Sequence, residues 1–240
     1  MTTVLMVLSA ARFWTLSDGT KHPTGFWAEE FVVPYETFRQ AGWDVTVATP
    51  HGATPVVDDI SLSVTGGGGL PGTINELKKK LAELQPILDH PVDLSDVDPD
   101  DFDLIFYPGG HGPMEDLAHD PVSGALLSKR ITSDRPLALL CHAPAAILAA
   151  TKDDETNPFA GRKMTGLSNA EEKLNSFGRK APWLLEDELK RVGVDYSKGL
   201  IPLRSHIVID GNLFTGQNPK SSKDLAEAIV ERLSSSSPAR

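Results

Sequence analysis

One cysteine, Cys141, stands in a chain of 240 residues. A lone thiol makes no internal disulfide, no CxxC redox pair and no zinc ribbon, so Cys141 is either a core filler or a nucleophile. Long apolar runs are missing too. The first, Val4 to Leu8, is far short of the roughly 20 residues that cross a bilayer, and it lacks the basic flank and small-residue cleavage site of a signal peptide. These absences lead to the expectation of a chain that begins at Met1 or Thr2, works in the cytoplasm and has no membrane partner. No block of Lys and Arg is present to track a phosphate backbone; the net charge of −10 is dispersed, which argues against a nucleic-acid partner. None of the seven histidines forms an HxxxH or HxH pair with a suitably spaced carboxylate, so neither a metal nor another cofactor is expected.

What the chain does have is alternation of strand and helix. Thr3 to Leu8, Asp44 to Ala48, Leu104 to Tyr107 and Leu137 to Leu140 are short apolar runs that read as buried parallel strands. Between them, Glu29 to Ala41, Asn75 to Leu88 and Pro121 to Ile131 repeat apolar residues at three- and four-residue spacing, the stripe of a helix that packs on one face. The alternation predicts an α/β fold, a parallel sheet covered on both faces. Further on, the patterns predict a helix after Cys141 and another around Pro182 to Val192. A hairpin from Ile207 to Asp210 and Leu213 to Thr215 follows, then a closing helix from Ser221 to Leu233. The length suits one domain, residues 1–233, with a polar tail, 234–240, expected to fray. Two stretches fall outside the scheme, 12–27 and 51–72, the second containing the run Gly66 to Gly69. Each is a surface loop or a lid over a site.

In an open parallel sheet, ligands bind beyond the carboxyl ends of the strands, so the residues after each strand are where chemistry is expected. Leu137 to Leu140 runs straight into Cys141, His142, Ala143 and Pro144, followed by helix-forming Ala145 to Ala150. A thiol on such an elbow points away from the sheet, and the helix N-terminus is expected to lower its pKa. Leu104 to Tyr107 runs into Pro108, Gly109, Gly110, His111 and Gly112, where glycines allow close backbone approach to a ligand. The Gly110 amide and the amide of His142 then form a candidate oxyanion hole. His142 is a candidate base if a carboxylate orients it; Glu172, after a strand expected over Lys163 to Leu167, is a candidate by position, and Glu171 and Asp187 compete with it. His111, in the glycine turn, is a candidate substrate contact. His22, His51, His90, His119 and His206 read as plain surface or loop residues.

Taken together, Tyr107 to Gly112, Leu140 to Pro144, Thr165-Gly166 and the run Thr215 to Pro219 resemble the ThiJ/PfpI superfamily of glutamine-amidotransferase-like proteins over nearly the whole chain. Ser17 to Gly19 and Thr24 to Glu30, with Pro34 and Phe38, resemble its branch of stress chaperones and glutathione-independent glyoxalases. The resemblance implies a flavodoxin-like three-layer sandwich with a mostly parallel central sheet, helices on both faces and a small cap. It places the family's acidic residue on Glu30, facing Cys141, and points to Glu172 as the carboxylate behind His142. Ala143 stands where many relatives carry Gly. His206 is followed by Ile207 and Val208 rather than by the Pro-Glu of true amidotransferases, which argues against glutamine hydrolysis.

The function implied is conversion of methylglyoxal and related 2-oxoaldehydes to 2-hydroxy acids such as D-lactate through a Cys141 hemithioacetal, without metal or glutathione. Trp27 joins His111 as a candidate substrate-binding residue. One alternative is a holding chaperone that binds unfolded proteins on an apolar patch of Phe13, Trp14, Phe26 and Trp27. Another is a different Cys-dependent hydrolase or hydratase, such as a peptidase, amidase or isocyanide hydratase. The family suggests a homodimer.

Overall fold

A computed structural model describes residues 1–64 and 69–236. Gly66 to Gly68 of the glycine run and the last four residues of the polar tail lie outside them. Eleven strands are described: β1 (Thr3–Val7), β2 (Phe13–Thr15), β3 (Lys21–Pro23), β4 (Asp44–Thr49), β5 (Val92–Asp93), β6 (Leu104–Tyr107), β7 (Leu137–Leu140), β8 (Lys163–Met164), β9 (Asp195–Tyr196), β10 (Ile207–Asp210) and β11 (Leu213–Gly216). Seven of them form the central sheet in the order β10-β11-β7-β6-β1-β4-β5. Every neighbouring pair is parallel except the β10/β11 hairpin at one edge. The four residues of β6 and of β7 are all buried, as strands with helices on both faces must be.

The α-helices are α1 (Ala28–Gln40), α2 (Pro71–Leu88), α3 (Gly112–Glu115), α4 (Pro121–Thr132), α5 (Asn169–Glu172), α6 (Leu185–Arg191) and α7 (Ser222–Ser236). On one side α1 packs against α2 and α7; on the other α4 packs against the 143–150 segment, which also meets α6. The result is a flavodoxin-like α/β sandwich. Helix α1 forms because Phe31, Tyr35 and Phe38 recur on one buried face. Glu30 lies on that buried side while Glu29 is half-buried, the outcome of the 100° step between neighbours. Pro34, inside the helix, has no N–H to offer the Glu30 carbonyl one turn back.

Three details depart from the sequence-based expectation. The segment after Cys141, Ala143–Ala150, is a 3₁₀ helix rather than an α-helix. The strand read over Lys163 to Leu167 is paired only at Lys163–Met164. The closing helix continues to Ser236, so the first residues of the presumed frayed tail are helical.

The described parts of the two irregular stretches are joined to each other by a bridge between Phe26 and Val57. In 12–27, β2 and β3 pair as a hairpin. It is tied down by Thr15, whose N–H and Oγ1 donate to Glu115 at 2.8 Å each, and by an Asp18–Lys180 ion pair at 2.8 Å. In 51–72, Asp58 accepts from Thr24 Oγ1 at 2.9 Å and Ser61 Oγ accepts the N–H of Ala28, the first residue of α1, at 3.1 Å. Trp14 and Phe26 are each 1% exposed, so the apolar patch imagined for client binding is mostly interior. These aromatics cover the core instead, because the hairpin folds them inward.

Candidate active site

β7 delivers Cys141 at the carboxyl edge of the sheet with φ +60°, a left-handed conformation that a side-chain-bearing residue adopts at a cost of roughly 1–3 kcal/mol. The surroundings hold it there. The Cys141 N–H donates to the Gly216 carbonyl at 2.8 Å, and its own carbonyl accepts from Leu167 at 2.9 Å. This is the elbow the sequence suggested, and it turns the thiol off the strand axis toward His142.

The neighbours of the thiol are those proposed from the sequence. Cys141 Sγ lies 3.4 Å from His142 Nδ1. The opposite ring nitrogen, Nε2, lies 2.6 Å from Glu172 Oε2. Glu172 is therefore the carboxylate behind His142, and its two rivals are occupied elsewhere. Glu171 accepts from Gln217 Nε2 (2.7 Å), Asn218 Nδ2 (2.8 Å), the Leu203 amide (2.9 Å) and Ser168; Asp187 accepts from Asn169. Ser168 and Glu171 make a reciprocal capping box at the start of α5. That box fixes the phase of the short helix so that Glu171 and Glu172 point to different partners.

Glu30 approaches from α1. Its Oε2 accepts the Gly109 amide at 2.7 Å, while Oε1 is buried without a hydrogen-bond partner. Only glycine fits at 109: a Cβ there would lie 2.7 Å from Glu30 Oε2 and 2.8 Å from the His142 amide. Gly110 has φ +95°, and a Cβ on it would meet the Gly25 carbonyl at 2.3 Å. Gly109, not Gly110, serves Glu30. The Gly110 and His142 amides find no acceptor among the described residues.

His111, the candidate substrate contact, sits beside Glu172. It is 3% exposed, and its Nε2 lies 3.0 Å from Glu172 Oε1, so the carboxylate bridges two imidazoles. Trp14 stacks on it at 4.8 Å and Phe177 meets it edge-on at 5.2 Å. His22, read as a surface residue, stacks on Phe177 at 4.1 Å and buries an unpartnered Nε2. Trp27 is half-buried; its backbone N–H donates to Gly109 at 3.1 Å and its indole N–H is buried without a partner. No spacing along the chain announced Trp14, His22 or Phe177. The Ser168-Asn169-Ala170-Glu171 pattern did carry a readable capping signal for α5.

The electrostatics divide the two glutamates. Burial raises the Glu30 carboxyl to about 8, only partly countered by the thiol and the Gly109 amide, so it is protonated at neutral pH. Burial also works to raise Glu172, but the two imidazoles outweigh it and hold the carboxyl far below the usual range. The His142 ring is pushed down by burial and by His111, so it rests neutral beside the ionised Glu172. Burial, then Glu30, pushes the Cys141 thiol well up. This reverses the expected lowering: the thiol is 3% exposed, and the following segment is a short 3₁₀ helix whose dipole is too weak to offset desolvation. With Glu172 ionised, both Nε2 atoms donate to it, which leaves His142 Nδ1 unprotonated and able to accept the thiol proton.

Residues 23–232 match the DJ-1/PfpI family. The chain belongs to that family. Protein/nucleic acid deglycase HchA of Staphylococcus aureus is 28% identical over 236 residues, covering 96% of this chain and 79% of the relative. Among solved structures, glyoxalase III from Candida albicans is similar with a TM-score of 0.80 at 25% identity, covering 96% of each chain. Rapid Encystment Protein 24 KDa of Francisella tularensis is similar with a TM-score of 0.83 at 27% identity, covering 97% of this chain and 99% of that one. DJ-1/PfpI relatives thus include named enzymes, a deglycase and a glyoxalase. No helix among the described residues of this DJ-1/PfpI chain is long and apolar enough to cross a membrane.

Proposed function

We propose that this DJ-1/PfpI protein is a glutathione-independent glyoxalase that converts methylglyoxal and related 2-oxoaldehydes to 2-hydroxy acids, with Cys141 as nucleophile. The observation that carries the reading is the line Cys141 Sγ, His142 Nδ1, His142 Nε2, Glu172 Oε2, with links of 3.4 and 2.6 Å, opposite a protonated Glu30. A neutral imidazole backed by a carboxylate is a base for the thiol, and a neutral carboxyl is an acid for the oxygen that becomes charged.

The thiol proton passes to His142 Nδ1 as sulfur bonds to the aldehyde carbon. The carbonyl electron pair moves to oxygen, which the Gly110 and His142 amides hold and Glu30 protonates, giving a hemithioacetal. Removal of the proton on that carbon and its return at the neighbouring carbon, through an enediol, converts the ketone to a hydroxyl and the hemithioacetal to a thioester. Water cleaves the thioester, releasing the 2-hydroxy acid and the thiol. Overall one water is added and no external oxidant is required.

The deglycase named for the Staphylococcus aureus relative would start from the same sulfur chemistry on a sugar-like adduct carried by a larger molecule. The 3% exposure of Cys141 favours a small free aldehyde. The test is turnover of methylglyoxal, glyoxal and phenylglyoxal by purified protein with EDTA present and glutathione absent, following lactate or the matching acid. Lactate formation that disappears in Cys141→Ala supports the reading; no turnover of any of the three refutes it.

A further inference from the structure

We propose that His111 Nε2, His142 Nε2 and the Glu172 carboxylate form a binding site for one zinc-type divalent cation, and that filling it switches the enzyme off by reversing the tautomer of His142. The site itself does not depend on the glyoxalase reading; the switch does.

Spacing along the chain gave no sign of such a site, because its members come from the β6–α3 turn, the elbow and α5. The fold brings their donor atoms within 4.8 Å of one another, and all three residues are buried. Two imidazoles and one carboxylate are a zinc donor set that leaves a fourth position open. Imidazole ligation selects zinc, cobalt, nickel or copper over calcium and magnesium. Metal–ligand bonds of about 2.1 Å put tetrahedral donors about 3.4 Å apart. The two imidazole–carboxylate distances are 2.6 and 3.0 Å within a donor set spread over no more than 4.8 Å, so to admit the cation the carboxylate withdraws by less than about 1 Å and the widest-set donors draw together toward about 3.4 Å. The rings, with centroids 4.1 Å apart, already present the same nitrogen to that carboxylate.

The consequence follows from which nitrogen is taken. The neutral His142 imidazole carries one proton, on the Nε2 that faces Glu172. A cation at Nε2 moves that proton to Nδ1 of the same ring, with none lost or gained. His142 Nδ1 is the atom 3.4 Å from Cys141 Sγ, so after the shift it is a donor and cannot take the thiol proton. Glu172, drawn onto the cation, also stops supporting the ring. Cys141 stands outside the donor set, which separates this site from ordinary capture of a soft metal by an active-site thiol.

Cobalt(II) chloride, titrated into chelator-treated full-length protein at neutral pH, is the spectroscopic probe. The expected result is one equivalent bound with the visible bands of a four-coordinate site and no sulfur-to-cobalt charge-transfer band. Cys141→Ala should keep the spectrum. His111→Ala and Glu172→Gln should each weaken binding at least about tenfold. His111→Asn, which keeps a polar group beneath Trp14, replaces His111→Ala if near-UV circular dichroism shows that variant unfolded. A sulfur band in the wild type, loss of the spectrum in Cys141→Ala, or unchanged affinity in the His111 and Glu172 variants overturns the site. Zinc chloride should abolish methylglyoxal turnover reversibly, with EDTA restoring it; one equivalent bound without inhibition overturns the switch. Absence of turnover in the metal-free protein would count against the glyoxalase reading, while the cobalt spectra still decide the site.

Discussion

Replacing Glu30 by Gln should make the protein more stable at neutral pH while removing its activity. Burial raises the carboxyl from 4.5 to about 8, so folding at pH 7 must keep protonated a group that is ionised in the unfolded chain. The cost is about 1.4 kcal/mol for each pH unit above 4.5, or about 3 kcal/mol at pH 7. The sign follows from a raised pKa. The contribution is fully present below the unfolded value, is lost as pH rises, and levels off above about 8. Gln carries no proton to lose. Its carbonyl oxygen can accept the Gly109 amide, but its NH₂ faces the place where Oε1 has no partner, at a cost of about 1 kcal/mol. The net gain is therefore about 2 kcal/mol at pH 7 and vanishes or reverses near pH 5. Urea unfolding of wild type and Glu30→Gln across this range measures the difference directly. Because Cys141 and Glu30 influence each other's titration, repeating the comparison in a Cys141→Ala background isolates the carboxyl. A stability difference independent of pH, or a Gln variant less stable at pH 7 than at pH 5 relative to wild type, would refute the reasoning.

Three further outcomes are expected. Alkylation of Cys141 by iodoacetamide should be slow at pH 7 and climb steeply above pH 8, since burial and nearby acids push the thiol up; a rate already on its plateau below pH 7 contradicts that environment. Gly110→Ala should destabilise by more than about 3 kcal/mol in thermal or urea unfolding, combining a positive φ with a Cβ 2.3 Å from the Gly25 carbonyl; a change under 1 kcal/mol would mean that the turn relaxes freely. Glu171→Gln should lower kcat more than it raises KM and cost about 2–4 kcal/mol of stability. It turns an amide toward donors from Gln217, Asn218 and Leu203, and so loosens the helix that holds Glu172.

Much of this arrangement is legible in the sequence because it rests on local rules. Strand β7 ending at Cys141 and the glycines after β6 follow from short-range patterning, whereas Glu30 as the acid facing Cys141 comes from the family resemblance. What could not be read is convergence between distant segments. Glu172 and His111 are 61 residues apart, and only the fold shows that one carboxylate serves two imidazoles. The covering of His111 by Trp14 likewise depends on how the β2–β3 hairpin folds back, which no periodicity encodes. The thiol pKa was misread for a related reason: a helix N-terminus can be anticipated from sequence, whereas burial and facing carboxyls cannot. The run Thr215 to Pro219 was visible as a motif without a role. Its Gln217 and Asn218 hold Glu171, and its Gly216 carbonyl accepts the Cys141 amide, so it braces both ends of the site.

The two glutamates show how position, rather than residue type, assigns chemistry here. Glu30 and Glu172 are both buried, and desolvation alone drives both toward the neutral form. One is met by a single backbone amide and a thiol, the other by two ring nitrogens, and the second set is enough to reverse the outcome. An acid that is protonated at neutral pH and a carboxylate that stays ionised therefore flank the Cys141 thiol, with the neutral imidazole between Cys141 and the ionised member. Moving a proton off sulfur and another onto an oxygen requires both states at the same pH, and groups whose environments push them apart supply them without a change in solution conditions. By the same logic His111 is more than filler. Its bond to Oε1 is one of the two that keep Glu172 charged, so its loss should act first on the protonation of the carboxylate and only through that on His142.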